Sequence, residues 1–436
     1  MISLRSLSAA LALSVLLIAP RSTHAQSARS QVAAAPLSSS RPLSQSAFLR
    51  EVLQSNLSVA VERANIPIAR AQIAIARIFP DPTVTVGVTS LDVSGVGAQN
   101  TVGAAITIPI EWPGRNAARV EVAAREAQVS EAQFEDALRQ LRAAAANAFI
   151  DALAAKLELV TRQQSLASLT RFVAANGVRL RAGDIGDVAL TQTRIEAERY
   201  RADVLSAEGD TLATAMNLRA FLGTQSAVQR IDPEGDLRTA PLLIDEGALI
   251  ARAMRDRSDL RVQRLAISAA DARVHLANVN RGVDFAVSAG WQYYFPGAQG
   301  SAFQAPDYHT LAATLTVPLP FSRVYRGEQD AARAHREQSA QRLRAIELVV
   351  ESEVRQALAR YRAALAAVAV YEQGLLRDAE RVVEAIAYGY QRGSVTLLEV
   401  LSAQRTLDEA RSAHVDALAA LARARVALEL AVGSAL

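Results

Sequence analysis

Residues Ala387 to Arg411 read A-Y-G-Y-Q-R-G-S-V-T-L-L-E-V-L-S-A-Q-R-T-L-D-E-A-R, and the fold of the chain turns on how this stretch is parsed. Gly393 lies between two helical patterns and predicts a sharp turn. After it, Val400, Leu407, His414, Leu421 and Leu428 recur every seven residues, with Ala403, Ala410, Ala417, Ala424 and Ala431 as a second row three positions on. The two rows form a heptad seam. Its alanines let a neighbouring helix approach closely, so the segment is predicted to lie along other helices over its whole length.

The turn occurs twice. Arg181 to Val188 matches Gln391 to Leu398 with Gly183 and Gly393 in register, 210 residues apart. L-R-A-F-L-G ending at Gly223 and L-E-L-A-V-G ending at Gly433 are also 210 apart, and I-T-I-P-I-E-W at Ile106 to Trp112 stands 209 before L-T-V-P-L-P-F at Leu315 to Phe321. Three landmarks at nearly one spacing make the chain a tandem duplication.

Composition narrows the class. The net charge is +3 and cysteine is absent, so the protein is held together by packing or assembly rather than by disulfides. With acids and arginines nearly balanced, there is no nucleic-acid footprint. Arg5, the apolar run Leu7 to Ala19 and the small residues Thr23 and Ala25 predict a signal peptide over residues 1–25. Residues 26–43 read as an extended, poorly ordered lead-in. The first repeat is placed at 44–223, an inter-repeat loop at 224–244 and the second repeat at 245–436.

Each repeat is predicted to hold a hairpin, at 82–111 and 282–319. Val84, Val86 and Val88 alternate with Thr83, Thr85 and Gly87, and Val102, Ala104, Ile106, Ile108 and Ile110 alternate with Thr and small residues. In the second repeat Val283, Phe285, Val287, Ala289, Trp291 and Tyr293 oppose Asp284, Ala286, Ser288, Gly290 and Gln292, and Leu311 to Leu319 alternates likewise. These runs have about the 9 to 11 residues that a tilted strand needs to cross a bilayer. Trp291, Tyr293 and Tyr294 suit an interfacial aromatic girdle. Four strands cannot close a barrel, for which about eight is the minimum, whereas three copies would pool twelve. Two ordinary hairpins on a soluble core would show the same alternation, but no further sheet is predicted for them to pack on.

Between the hairpins and the turns the chain is helical. Residues 115 to 181 make one helix of about 100 Å, and the shorter segments 44–79 and 186–222 together match its length. The second repeat repeats this with 245–280 and 396–431 beside 326–390, where Val354, Tyr361, Val368, Leu375 and Val382 form a seven-residue row. Pro67 marks a kink or a junction in the first short segment.

Tyr390, Gly393, Leu398, Glu399, Leu401, Ala403 and Leu407 resemble the C-terminal hallmark of the TolC-like outer-membrane efflux proteins, and the likeness extends over essentially the whole mature chain. It implies a mainly helical protein with a membrane β-barrel segment: a homotrimer with four strands per protomer in a 12-stranded outer-membrane barrel and long antiparallel helices in a periplasmic α-barrel. It also implies a channel component of a tripartite efflux pump, with a periplasmic adaptor and an inner-membrane pump as partners. Within the family, Pro109 to Ala127 (P-I-E-W-P-G-R-N-A-A-R-V-E-V-A-A-R-E-A) is most similar to the branch serving resistance-nodulation-division pumps for cobalt, zinc and cadmium. A duct for drugs or for type I secretion shares the fold.

The resemblance implies that Gly183 and Gly393 lie at tips engaging the adaptor. It places Glu399 at a periplasmic aperture, where a ring of acids favours cations. Ser402 and Ala189 depart from the family's acids, and Asp184 and Asp187 lie where they can compensate. The strand faces opposite the apolar ones are predicted to line a lumen that is wettable and uncharged except for Asp284. Outside the leader His275, His309, His335 and His414 are scattered without metal-ligand spacing, and no nucleophile or phosphate-loop motif appears, so no cofactor and no enzyme activity are expected. A periplasmic coiled-coil adaptor is the rival from another class; it leaves the four strands unexplained.

Overall fold

The computed structural model describes residues 41–90, 99–223, 231–242, 245–296, 306–319 and 324–434. The expected signal peptide and most of the lead-in lie outside these residues. The first repeat runs β1 (Arg41–Ser44), α1 (Gln45–Ser55), α2 (Leu57–Ala76), β2 (Thr83–Ser90), β3 (Gln99–Ile110), α3 (Arg115–Ala182) and α4 (Asp187–Leu222). After β4 (Ile231–Glu234), the second runs α5 (Glu246–Asp256), α6 (Ser258–Val279), β5 (Phe285–Pro296), β6 (Tyr308–Thr316), α7 (Val324–Val370), a π turn (Tyr371–Leu375), α8 (Leu376–Gln391) and α9 (Leu397–Val432).

Four expectations need correction. The end of the lead-in and part of the inter-repeat segment are not loop: β1 and β4 pair in parallel, burying Leu43 and Ile231. The break in the first short segment falls at Asn56 rather than at Pro67, which sits inside α2. Asn56 accepts from the Ser58 and Val59 amides and donates from Nδ2 to the Phe221 carbonyl at 2.9 Å, so one side chain starts α2 and ties it to α4. Its counterpart is Arg257, between α5 and α6. The second long helix is not continuous, because the π turn divides it. Asp284, expected on the lumen face, lies before β5 and is held by Arg115 and by the Trp112 amide at 2.7 Å. Arg115 also donates to the Gly282 carbonyl, and the Trp112 indole covers Gly282 so closely that a Cβ there would clash with the ring. This joint fixes strand direction against helix direction.

Gln45 to Glu246 and Leu57 to Ser258 are each 201 residues, against 209 from Ile106 to Leu315, so the second hairpin is eight residues longer than the first. The core sits at the middle of the rods, where α1, α5, α3, α7 and the end of α9 meet. Phe48 packs on Phe149 at 5.7 Å between ring centres, beside Leu218, Val350, Val354, Leu358, Tyr361 and Leu428.

The predicted row on the second long helix is buried only as far as the π turn. Val354, Tyr361 and Val368 are 0, 1 and 5% exposed, but Leu375 and Val382 are 40 and 50% exposed. A π turn carries one extra residue, which rotates the helix beyond it by about 100° and takes the row off the seam.

Neighbours follow one circular order at every level. The sheet runs β2-β3-β5-β6. Next to it the helices run α2-α3-α6-α7, and below the core α4-α3-α9-α8. Each level therefore ends in one element of the first repeat and one of the second.

Candidate functional site

The register of the sheet sorts its side chains into two faces. One carries Val88, Val102, Tyr293 and His309; then Val86, Ala104, Trp291 and Leu311; then Val84, Ile106, Ala289 and Ala313; then Ile108, Val287 and Leu315. The other carries Thr101, Tyr294 and Tyr308; then Gly87, Gly103, Gln292 and Thr310; then Thr85, Ala105, Gly290 and Ala312; then Thr83, Thr107, Ser288 and Thr314. The first face is apolar and open, with Val86 73% and Leu311 86% exposed, and among the described residues no helix packs extensively across the sheet. In water such a face is a hazard; in lipid it is at home.

Two aromatic rims bound that face. Trp112 lies at the helix end. Trp291 and Tyr293 lie at the other, with the Trp291 ring 6.5 Å from Tyr293 and 5.6 Å from His309. Trp291 Nε1 donates to His309 Nδ1 at 3.2 Å, and the Tyr293 hydroxyl donates to Asp307 at 3.0 Å. From Val102, the partner of Tyr293, to Trp112, two residues past the end of β3, the chain advances ten residues. At about 3.3 Å per residue and a tilt near 40° this spans about 25 Å of height, the apolar band of an outer-membrane barrel. Tyr294 falls on the opposite face, stacked on Tyr308 at 4.6 Å. Strand periodicity, which reverses direction at each residue, already separates it from its neighbours. No described helix is long and apolar enough to cross a membrane.

The two glycine turns lie at the far end of the rods. Gly183 and Gly393 have φ of 81° and 76° with open space around them, so glycine is there for its left-handed backbone and not for close approach. Asp184 and Ser394 donate their amides to the Arg179 and Gly389 carbonyls, and Gly183 and Gly393 donate theirs to Leu180 and Tyr390. Both are the same Schellman closure.

Asp184, Asp187 and Glu399 are all exposed near these turns. Glu399 also starts α9: its carboxylate accepts from the Thr396 amide at 2.7 Å and hydroxyl at 2.8 Å, and those bonds hold its pKa below the ordinary carboxylate value. The first repeat, with Gly186 and Ala189 in the equivalent places, lacks this box.

A buried polar cluster joining the tips was not anticipated from sequence. Tyr390 donates its hydroxyl to Asn176 Oδ1 at 3.2 Å, Asn176 donates to Thr193 Oγ1 at 3.0 Å, and Arg179 stacks over the Tyr390 ring at 4.6 Å while donating to its carbonyl. Higher up, Asp408 accepts from Ser165 and Gln404, and Arg405 grips Glu196 with two bonds. Asn176 and Thr193, polar residues inside otherwise apolar helical rows, were the available signal. Among the described residues no three His, Asp or Glu side chains converge on a metal position.

Known proteins share this architecture. The family model described as "Outer membrane efflux protein" matches residues 48–224 and 249–434. Cobalt-zinc-cadmium resistance protein CzcC of Cupriavidus metallidurans is 24% identical over 99% of this chain and all of its own length. Among solved structures, CusC superposes with a TM-score of 0.72 at 17% identity, covering 89% of this chain and 92% of that one. The CmeC outer membrane channel of Campylobacter jejuni gives 0.71 at 13% identity, covering 89% and 85%. An uncharged strand face backed by a lipid-ready one, a tandem repeat of long helices and a family match spanning both repeats lead to one conclusion: this chain belongs to the outer membrane efflux protein family, as a TolC-like channel component whose strands lie in the outer membrane and whose helices lie in the periplasm.

Proposed function

We propose that three copies of this chain close into one tube, the exit component of a tripartite pump that exports heavy-metal cations. A periplasmic adaptor meets the tips at Gly183 and Gly393, and a resistance-nodulation-division pump in the inner membrane supplies the cargo. The observation that carries this reading is the shared incompleteness of all three levels, each open at a first-repeat edge and a second-repeat edge. Joining β6 to the β2 of the next copy brings α7 to its α2 and α8 to its α4 in the same step. Exposed Val61, Ile68 and Ile75 on α2 form a seven-residue row suited to such a neighbour. Twelve strands at about 4.8 Å spacing and 40° tilt give a cylinder about 24 Å across, wide enough for hydrated ions.

The likeness to CzcC favours divalent metal cargo. Metal ions pass hydrated, since the strand lumen has no fixed charge among the described residues, and selection is made upstream. A cell lacking this protein is expected to lose cadmium, zinc or cobalt tolerance and to keep drug tolerance. The reverse pattern assigns a drug duct, and lost protein export assigns type I secretion. Native mass spectrometry of detergent-solubilised protein is expected to give the trimer, and a monomer rejects the tube.

Glu399, with Asp184 and Asp187, is proposed to ring the periplasmic aperture and favour cations. Glu399→Gln is expected to reduce cation preference in planar bilayers, read as a smaller reversal potential in a salt gradient. An unchanged reversal potential would leave Glu399 as a helix cap alone.

A further inference from the structure

The two long helices match in span but not in continuity. α3 is unbroken, and the residues 210 positions before the π turn, 161–165, lie inside it. In the second repeat Gly374 leaves helical geometry, at φ 171° and ψ −29°, and separates the 47-residue α7 from the 16-residue α8. A break in the hydrogen-bond ladder at such a turn is where a long helix bends. Only one of the two tip hairpins therefore hangs from a hinge.

A nearly buried histidine is packed on that hinge. The His414 side chain, on α9, is 13% exposed, and its ring lies 5.9 Å from that of Tyr371. Its Nε2 is buried, and no described residue shares a hydrogen bond with it. Glu372, in the π turn, holds a carboxylate oxygen 3.9 Å from Nε2, beyond hydrogen-bond reach. The same oxygen stands 3.4 Å from Nε of Arg238 in the inter-repeat segment. One carboxylate thus lies between an arginine that holds it and a histidine that stands out of hydrogen-bond reach and carries a proton on Nε2 in every tautomer only when it is charged.

We propose that this arrangement is an acid-operated hinge: protonation gives His414 a positive charge and an N–H on both ring nitrogens, Glu372 moves from Arg238 to Nε2, and the α8–α9 hairpin re-seats about Gly374 relative to α7. As control of the conduit this rests on the channel reading; as a hinge it stands alone.

The surrounding charges are consistent with a two-position carboxylate. From α3, Glu158 and Arg162 bind each other and Ser412. From α8, Glu380 is occupied by Arg411 at 2.7 Å. Glu372 and Arg238 remain as the charges that act on the ring. Burial lowers the His414 pKa below its ordinary value, Glu372 opposes that and Arg238 adds to it. A depressed base favours the neutral packed form above its unfolded value, about pH 6.5, and that preference is lost as pH falls below it. The switch therefore works on the acid side of neutrality.

The chain has no cysteine, so introduced pairs label cleanly. Full-length protein in nanodiscs, spin-labelled at Leu348→Cys in α7 and Val382→Cys in α8 and diluted with unlabelled copies, reports the distance across the hinge by pulsed electron spin resonance. Both positions are exposed in the protomer. Between pH 7.5 and 5.0 that distance is expected to shift by a few ångströms, while a control pair at Val160→Cys and Val178→Cys in unbroken α3 stays fixed. His414→Phe, or Glu372→Gln should that variant fail to fold, is expected to abolish the shift. An unchanged wild-type distance overturns the hinge, as does a shift that persists in His414→Phe and Glu372→Gln. A pH-dependent distance in protein that carries no ion current upholds the hinge and refutes the channel reading; ion current without a pH-dependent distance does the opposite.

Discussion

Ile106→Arg is expected to empty the outer membrane of this protein, while Thr107→Arg, one residue along the same strand, is expected to leave it in place. Ile106 pairs with Val84 and Ala289 in the row midway between the two aromatic rims. An arginine there meets the bilayer midplane, at about 2–4 kcal/mol per copy. One copy alone corresponds to at least about a 30-fold loss, and the proposed three-copy ring would meet the penalty three times. Thr107 stands on the uncharged face between Thr83 and Ser288, where water solvates the new charge. Quantitative blots of separated outer membranes read both variants. Equal loss in the two would mean that neither face is the lipid face.

Arg257→Met is expected to cost about 3–5 kcal/mol of stability, the largest effect foreseen for any position in the helical part. Its side chain is 4% exposed, and its guanidinium donates to Asp259, to Glu353 and to the Ala431 carbonyl at the end of α9. Methionine keeps the stem and removes the charge, leaving those acceptors without their donor. Burial alone would raise the Asp259 pKa, but Arg257, with Arg139 nearby, more than offsets this and holds it below the ordinary value. The contribution of Asp259 is therefore present above its unfolded value near 3.9 and is lost as pH falls below it. Urea unfolding in detergent reads the difference. The exposed pair Arg261 with Glu135 is the control, and Arg261→Met is expected to change stability by less than about 1 kcal/mol.

Elements that rest on long periodicity were legible in the sequence. The Gly183 and Gly393 turns, the alternation in four strands and the 68-residue α3 each repeat one physical rule many times. What escaped depends on single side chains reaching across the fold. Asn56 breaks a helix because it can also cap α2 and reach Phe221, and nothing local favours it over Pro67, the stronger breaker on paper. Leu375 and Val382 continue a seven-residue row in the letters, but an extra residue inside the π turn carries them off it. Asp284 follows strand parity, yet a tertiary partner, Arg115, decides its place. Glu399 could be placed at a tip but not assigned its bonds to Thr396, since the box requires the turn to end at that residue.

The unequal repeats limit how the proposed ring of three chains can be dressed from outside. A strictly repeated rod would present six equivalent grooves, but the hinge at Gly374 and the Thr396–Glu399 box occur only in the second half. In the proposed trimer two kinds of groove alternate around the circumference. A partner that grips one kind saturates at three per tube, and one that reaches six must tolerate both, binding in two steps of different strength.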